Sequence, residues 1–291
     1  MFLSAKCPQI ALSKSVRGRI MKSRVYFIAV GSSDSLQLIN QKLKRLIDES
    51  GILNFIRKKD AVVLKLHFGE EGNTGFVSPK HVRVVSDTAA RLGGRVFLAD
   101  ANTLYRGRRL NSQEHLKLAY EHGFTKEVTC ADLIIPDDTQ EKNIACVEIN
   151  QKFIKQAKVA RIFIEVDAFI AVSHFKGHIL TGFGGALKNV GMGCATRQGK
   201  LAQHCNTAPV VHADNCIGCG ECEIICPVKA IKLVNKKSVV DSAKCIGCAS
   251  CLSACPTMAM FIDFNAVPRY SLRWLSIVWR CLKISRKKAV L

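Results

Sequence analysis

Residues 1–33 contain no aspartate or glutamate, and neither do residues 264–291. The first stretch holds Lys6, Lys14, Arg17, Arg19, Lys22 and Arg24; the second holds Arg269, Arg273, Arg280, Lys283, Arg286, Lys287 and Lys288. These ends carry 13 of the net +20 charges, so the middle of the chain is only mildly basic. A high isoelectric point concentrated in two tails, without a basic groove interleaved with aromatics, gives no reason to expect specific nucleic-acid binding. A secretory signal is also missing, because the first 20 residues are polar and basic and lack a long apolar core. Arg273 and Arg280 break up the C-terminal apolar stretch, which excludes a bilayer span there. Neither a Walker A loop nor a G-x-G-x-x-G loop in a strand-to-helix context is present, which removes two common phosphate-binding readings.

The terminal segments divide the chain. Residues 1–23 read as a basic, disordered extension, with Met21 a second candidate start directly before a strand-like stretch. Residues 266–291 read as a basic amphipathic segment. On a helical wheel Arg269, Arg273, Ser276, Arg280, Lys283 and Lys287 share one stripe, with Trp274, Trp279 and aliphatic residues around the rest. That pattern fits a peripheral membrane contact through 269–288, or a terminal helix docked on the protein itself.

The chain has 14 cysteines, and eight of them fall in two matching runs. Cys216, Cys219, Cys222 and Cys226 precede Pro227, and Cys245, Cys248, Cys251 and Cys255 precede Pro256. Each run reads C-x2-C-x2-C-x3-C-P and the two repeat at about 29 residues. Zinc sites draw four ligands from two pairs, whereas each run here has a third cysteine and a trailing proline. The spacing suits a [4Fe–4S] cluster, for which three thiolates on one tight loop reach three corners of a cubane. The stretch 208–264 resembles two-cluster ferredoxins. That resemblance assigns the ligands crosswise: Cys216, Cys219, Cys222 and Cys255 to one cluster, Cys245, Cys248, Cys251 and Cys226 to the other. Short apolar segments, Ala230–Val234 and Met258–Ile262, are expected to form strands that shield the clusters. Thiolate ligands need a reducing compartment, so a cytoplasmic location is expected, with the C-terminal segment peripheral at the inner membrane surface. Cys7, Cys130, Cys146, Cys194, Cys205 and Cys281 remain, and most are expected to be small buried apolar residues.

Residues 24–206 alternate between strand and helix signals. Arg24–Val30, Ala61–His67, Arg95–Asp100 and Ala168–Ser173 are predicted strands, and Val147–Ile149 a minor one. Helices are predicted over Asp34–Glu49, from Ser78-Pro79 to Leu92, and over Asn111–His122, with a glycine-rich helix opening at Gly182–Val190. The pattern predicts an α/β fold: a mainly parallel sheet flanked by helices, followed by a small bacterial-ferredoxin-like α+β domain at 207–265.

Ligands of such sheets bind beyond the carboxyl ends of the strands. There the chain places His67 and Glu70 after one strand, Asp100 and Asn102 after another, and His174, Lys176 and His178 after a third. Gly182, Gly184 and Gly185 precede Lys188 and Asn189, a pattern that frees backbone N–H groups to face an anion or packs a helix closely on the sheet. His174 and His178 have the i, i+4 spacing of a metal pair, although Gly177 argues against continuous helix. The stretches SHFKGHILTGFGGALKNVGMGC at 173–194, HFGEEGNTGF at 67–76 and DANTLYRGRR at 100–109 resemble the uncharacterised Fe–S center proteins of the domain of unknown function 362 family. The resemblance implies an α/β domain joined to a two-cluster ferredoxin module, and supplies no reaction.

Three functions follow as expectations. The first is a ferredoxin-coupled oxidoreductase. Its two [4Fe–4S] clusters would exchange electrons with a substrate or a second cofactor or metal in the α/β domain. Lys176, Lys188 and Arg197 would hold an anionic group, and His67, His174 or His178 would move protons. Glu70 and Asp100 would orient a histidine or bind a cation. The second is a non-enzymatic electron carrier or adaptor that docks a partner redox protein. The third is a metal or cofactor maturation factor using Cys194, His204 and Cys205.

Overall fold

The computed structural model describes residues 24–138, 140–149, 155–178, 182–204 and 208–263. It gives the backbone alone of His178, His204, Leu3–Ser4 and Lys288–Val290. The N-terminal extension, most of the basic C-terminal segment and Cys7, Cys205 and Cys281 lie outside the described residues.

Four parallel strands form the main sheet. β1 (Ala61–Lys65) and β2 (Arg95–Ala99) lie side by side, β3 (Asp132–Ile134) continues beyond β2, and β6 (Ala168–Ala171) lies on the other side of β1. Lys288–Val290 runs parallel along the outer edge of β6. A separate antiparallel hairpin joins β4 (Ile144–Glu148) to β5 (Gln156–Ala160). The central strands are Val- and Leu-rich because parallel strands are covered on both faces. Val62 and Leu64 pack on one side with Leu98 and Ile170, while Val63 packs on the other with Phe169 and Ala171.

The helices follow their local signals. α1 (Leu36–Ser50) is capped by Ser35, whose Oγ accepts the Leu38 N–H at 3.2 Å. α2 (Pro79–Arg91) begins with proline at its first position, where the missing N–H costs nothing. Asn111 caps α3 (Ser112–Glu121) by accepting the Glu114 N–H.

Three expectations need correction. The Arg24–Val30 segment contributes only Val25–Tyr26, outside the main sheet, with Val25 and Phe27 exposed. Its apolar run is anchored on one side only, through Tyr26 and Ile28. Gly182–Gly184 is not helical but is strand β8, paired antiparallel with β7 (Lys176–His178). Helix α5 starts later, at Ala186–Gly191, so His174 and His178 do not share a helix face. Finally, Cys130 and Cys146 are exposed, and only Cys194 among the described remaining cysteines is buried. The strands Asp132–Ile134 and Gln156–Ala160 were not foreseen, because three to five residues flanked by polar ones carry little periodicity.

Residues 208–263 build the cysteine-rich unit. β9 (Val210–Val211) pairs antiparallel with β12 (Met260–Phe261), and β10 (Ile231–Val234) with β11 (Lys237–Val240). Short helices α7 (Glu221–Ile224) and α8 (Ser250–Ala254) follow the two cysteine loops. The sequence repeat recurs in the backbone. Left-handed φ values occur at Gly218 and Gly247, at Gly220 and Ala249, and at Lys229 and Met258, each pair 29 positions apart. Both expected shielding strands form, as Ile231–Val234 and Met260–Phe261.

Leu64 is fully buried at the centre of β1. Leu64→Ala is expected to cost about 2–5 kcal/mol through lost burial and an uncollapsed cavity, read as a lowered midpoint in chemical denaturation.

Candidate functional site

The register places Lys65 level with Ala99 of β2 and Ala171 of β6. The loops after these three parallel neighbours therefore leave the sheet together. At their centre is Asp100, 1% exposed. Its Oδ1 accepts from Lys65 Nζ at 2.8 Å, and its Oδ2 accepts from Arg109 Nη2 at 2.8 Å. Burial alone would raise the Asp100 pKa, but Lys65 and Arg109 outweigh it and hold the carboxyl well below its ordinary range. Lys65 also donates to the Asn189 side-chain oxygen at 2.7 Å and to the Leu66 carbonyl at 2.6 Å. The Asn189 amide in turn donates to Lys65 O, Val172 O and Ser173 Oγ. Gly193 follows this helix so closely that a Cβ there would sit 2.7 Å from Lys65 Nζ and 2.1 Å from Asn189 O.

Arg109 carries the network outward. It donates through Nε to His115 Nε2 at 3.1 Å and through Nη1 to Glu70, which also accepts from the Tyr105 hydroxyl. Because His115 Nε2 accepts, its proton sits on Nδ1 and points to Asn102 Oδ1 at 3.2 Å. Burial keeps His115 neutral, against the pull of Asp100. His67 accepts the Gly69 N–H at Nδ1, and its Nε2 lies 3.5 Å from Arg109 Nη1 and 4.0 Å from the Glu70 carboxylate. Burial and then Arg109 lower the His67 pKa well below its usual value, with Asp100 opposing.

Lys176 and Lys188 stand at the edge of this cluster. Lys176 Nζ donates to Gly75 O at 3.3 Å. Lys188, half-buried, has a pKa lowered to about 8 by burial, then by Lys176 and Arg109.

The predicted residues separate into three groups. His67, Glu70, Lys176 and Lys188 line the region where the strand-end loops meet. Asp100, Asn102 and Asn189 are committed to internal bonds: Asn102 is 1% exposed and donates to Ser112 Oγ. Gly182, Gly184 and Gly185 form the hairpin and its exit, His174 is exposed, and the side chain of His178 lies outside the described residues. Arg197 is not an anion holder: its Nε and backbone N–H are both taken by Asp138, in a pair about 5% exposed. Lys65, Tyr105, Arg109 and His115 are the members that sequence reasoning missed. A lysine inside the apolar run AVVLKLH was the available signal for the first.

The cysteines group across the repeat. Cys216, Cys219 and Cys222 line one small cavity together with Cys255 of the second run. Ser238 lies against Cys216 and Cys222 there. In the other half, burial pushes the Cys251 thiol up to about 12, and Cys248, Cys245, Cys222 and Cys226 add to it. Burial also raises Cys245, opposed by the Gly247 N–H and reinforced by Cys248 and Cys226. All eight thiols are free. Among the described residues, no three His, Cys, Asp or Glu side chains converge on a point that one metal ion could occupy. Cys194 is buried in the α/β core, while the side chain of His204 and Cys205 lie outside the described residues.

The two units touch. Arg106 Nη1 donates to the carbonyls of Cys255 and Pro256 at 3.3 and 3.2 Å. Leu201, on helix α6 (Arg197–His204), packs where a Cβ on Gly247 would lie 2.5 Å from its Cδ2, so this loop position is closed to any larger residue.

Fold and site together define an α/β protein with a charged cluster at its strand ends and an appended cysteine repeat. The chain belongs to the family described as Domain of unknown function (DUF362), whose model matches residues 62–270. No curated protein was found to match the sequence. Among solved structures, the lactate racemase apoprotein from Thermoanaerobacterium thermosaccharolyticum is similar at a TM-score of 0.44 and 17% identity. That similarity covers 57% of this chain and 39% of that one, so the chain spans about two fifths of that protein's length. No helix among the described residues is long and apolar enough to cross a membrane.

Asp100→Asn is expected to cost about 3–5 kcal/mol at neutral pH by leaving Lys65 and Arg109 short of a buried counter-charge. Because the folded pKa of Asp100 is depressed, its contribution is full above the unfolded value near ~3.9 and fades as pH falls. Denaturation from pH 7 downward should show the gap to wild type closing by about 1.4 kcal/mol per unit below ~3.9.

Proposed function

We propose that the chain is an iron–sulfur redox protein whose cysteine unit is a ferredoxin-type domain holding two [4Fe–4S] clusters. The observation that carries this reading is the crosswise sharing of one cavity by Cys216, Cys219, Cys222 and Cys255. Zinc would require four donors at about 2.0–2.3 Å from one point. Thiols from both runs around one cavity, with no three converging on a single point, suit a polynuclear group in which each iron takes one thiolate. Cys226 influences both Cys245 and Cys251, with Cys222 also near Cys251, which is compatible with a second crosswise set.

The strand-end cleft is the proposed place of chemistry. When bound, the clusters would supply single electrons. His67 is held neutral with Nδ1 taken by the Gly69 N–H, so Nε2, beside Arg109 and Glu70, is the atom that would give or take a proton. Glu70, fixed by Arg109 and Tyr105, orients the cleft side of His67. The Asp100 network keeps both in place. An enzyme is favoured over a carrier because a docking domain has no use for a neutral histidine, a carboxylate and two lysines meeting at one cleft. Arg106 and Leu201 bring the cysteine loops against the elements that bear this site, so the two units are built to act together. The carrier and maturation readings have no comparable observation behind them.

Anaerobically assembled protein is expected to contain about eight iron and about eight sulfide per chain. Cys216→Ser and Cys255→Ser should perturb the same paramagnetic signal, and Cys226→Ser the other one. Paired zinc and no sulfide would sink the cluster reading. With both clusters intact, His67→Asn should lower turnover by about 10²–10⁴-fold if it is the proton donor. Unchanged reduction of a partner by that variant would return the protein to the carrier class.

A further inference from the structure

The cleft has more positive charge than its own residues balance. Lys65 is paired with Asp100, and Arg109 with Asp100 and Glu70. Lys176 and Lys188 form no ion pair among the described residues. They nevertheless lie together. A Cβ on Gly184 would meet Lys188 Cδ at 3.6 Å and Lys176 Cγ at 3.9 Å, so the two aliphatic stems flank one glycine. Lys176 comes from the hairpin strand after β6 and Lys188 from α5, so two separate elements deliver these ammonium groups to one edge of the cleft.

Two neighbouring ammonium groups repel each other, and a half-buried one is poorly hydrated. Surface lysines relieve such repulsion by swinging into water, whereas Lys188 is half-buried with its stem beside Gly184. Each influence recorded on Lys188, namely burial, Lys176 and Arg109, disfavours its charge. An anion between the two lysines removes that penalty at once, because each ammonium then gains a charge-assisted hydrogen bond. Lysine suits this task as a mobile point charge, whereas Arg109 is already fixed by two carboxylates.

We propose that the Lys176–Lys188 pair seats an oxyanion of the substrate, a carboxylate or a phosphate, and so restricts the cleft to small anionic molecules whose remainder extends toward His67 and Glu70. This rests on the strand-end cleft being the substrate site, and it deepens that reading by naming the substrate class. A bound oxyanion would favour the charged form of Lys188. Affinity should therefore be highest below about pH 8 and weaken as pH rises through that value.

The test is amine labelling of the full-length protein at pH 8, with each lysine followed by peptide mass spectrometry. Inorganic phosphate, malonate and neutral malonamide serve as probes at matched ionic strength. Phosphate or malonate should slow labelling of Lys188 by about tenfold for each pKa unit that the anion restores. Protection by phosphate alone assigns a phosphate group, and protection by malonate alone a carboxylate. Lys176→Gln should abolish the protection, and Lys176→Arg should retain part of it. In parallel, phosphate or malonate should raise the thermal midpoint of wild type over the chloride control, but not that of Lys176→Gln/Lys188→Gln. Equal protection by malonamide, or no anion-specific effect in either measurement, would overturn the proposal. Neither readout depends on cluster content or turnover, so failure of the redox reading and failure of this one are separable.

Discussion

A single buried carboxylate organises the molecule. Asp100 accepts from Lys65 on one side and Arg109 on the other, and all three are almost wholly withdrawn from water. An ion pair in such a place is costly unless every charge is met and every hydrogen bond made. Here the remaining donors of Lys65 reach Leu66 O and Asn189, and those of Arg109 reach His115 and Glu70. The same bonds therefore join the end of β1, the end of β2, the loop 101–110, helix α3 and helix α5. The loop is the element of consequence, since Leu104 lies in the core of the cysteine unit and Arg106 holds the carbonyls of Cys255 and Pro256. The geometry of the cleft and the docking of the second unit thus follow from one charge pattern.

That pattern also divides the cleft by function. Its inner part is electrically closed, because Asp100 and Glu70 meet Lys65 and Arg109. His67, beside it, stays neutral because burial and Arg109 both disfavour a second positive charge. Its outer part is open, with Lys176 and Lys188 flanking Gly184. A closed inner network gives rigidity and fixes proton positions, while an unbalanced rim gives affinity for a charged ligand. On the proposed reading, placing the two side by side would let the molecule hold one end of a substrate and act on another.

The signals that could be read directly were the local ones. Ser78-Pro79 and Asn111 marked the starts of two helices, because a helix start depends on a few adjacent residues. The 29-residue cysteine repeat proved legible down to backbone conformation, with left-handed positions at matching sites in both halves. The strand-end residues His67, Glu70, Asp100 and Lys176 were chosen because parallel strands aim their exits the same way, and the sheet order brings those exits together. Other signals misled. Gly182–Gly185 looked like the approach to a helix, but glycine permits a hairpin equally well, and pairing with Lys176–His178 decided the matter. Arg197 looked available to an anion, but Asp138, 59 residues earlier in the chain, takes it.

By itself the sequence determined the α/β class, three helices, the two cysteine runs and three of the strand ends around which the polar cluster gathers. These depend on spacing, capping and periodicity, which are properties of neighbours along the chain. Tertiary structure alone decided which polar residues are internal ties and which are open to a ligand. Asp100, Asn102 and Asn189 became ties, and Lys65, Arg109 and His115 joined them, while Lys176 and Lys188 were left facing each other. The reason is physical: the state of a charged group depends on burial and on partners brought in from distant segments, and neither exists until the chain has folded.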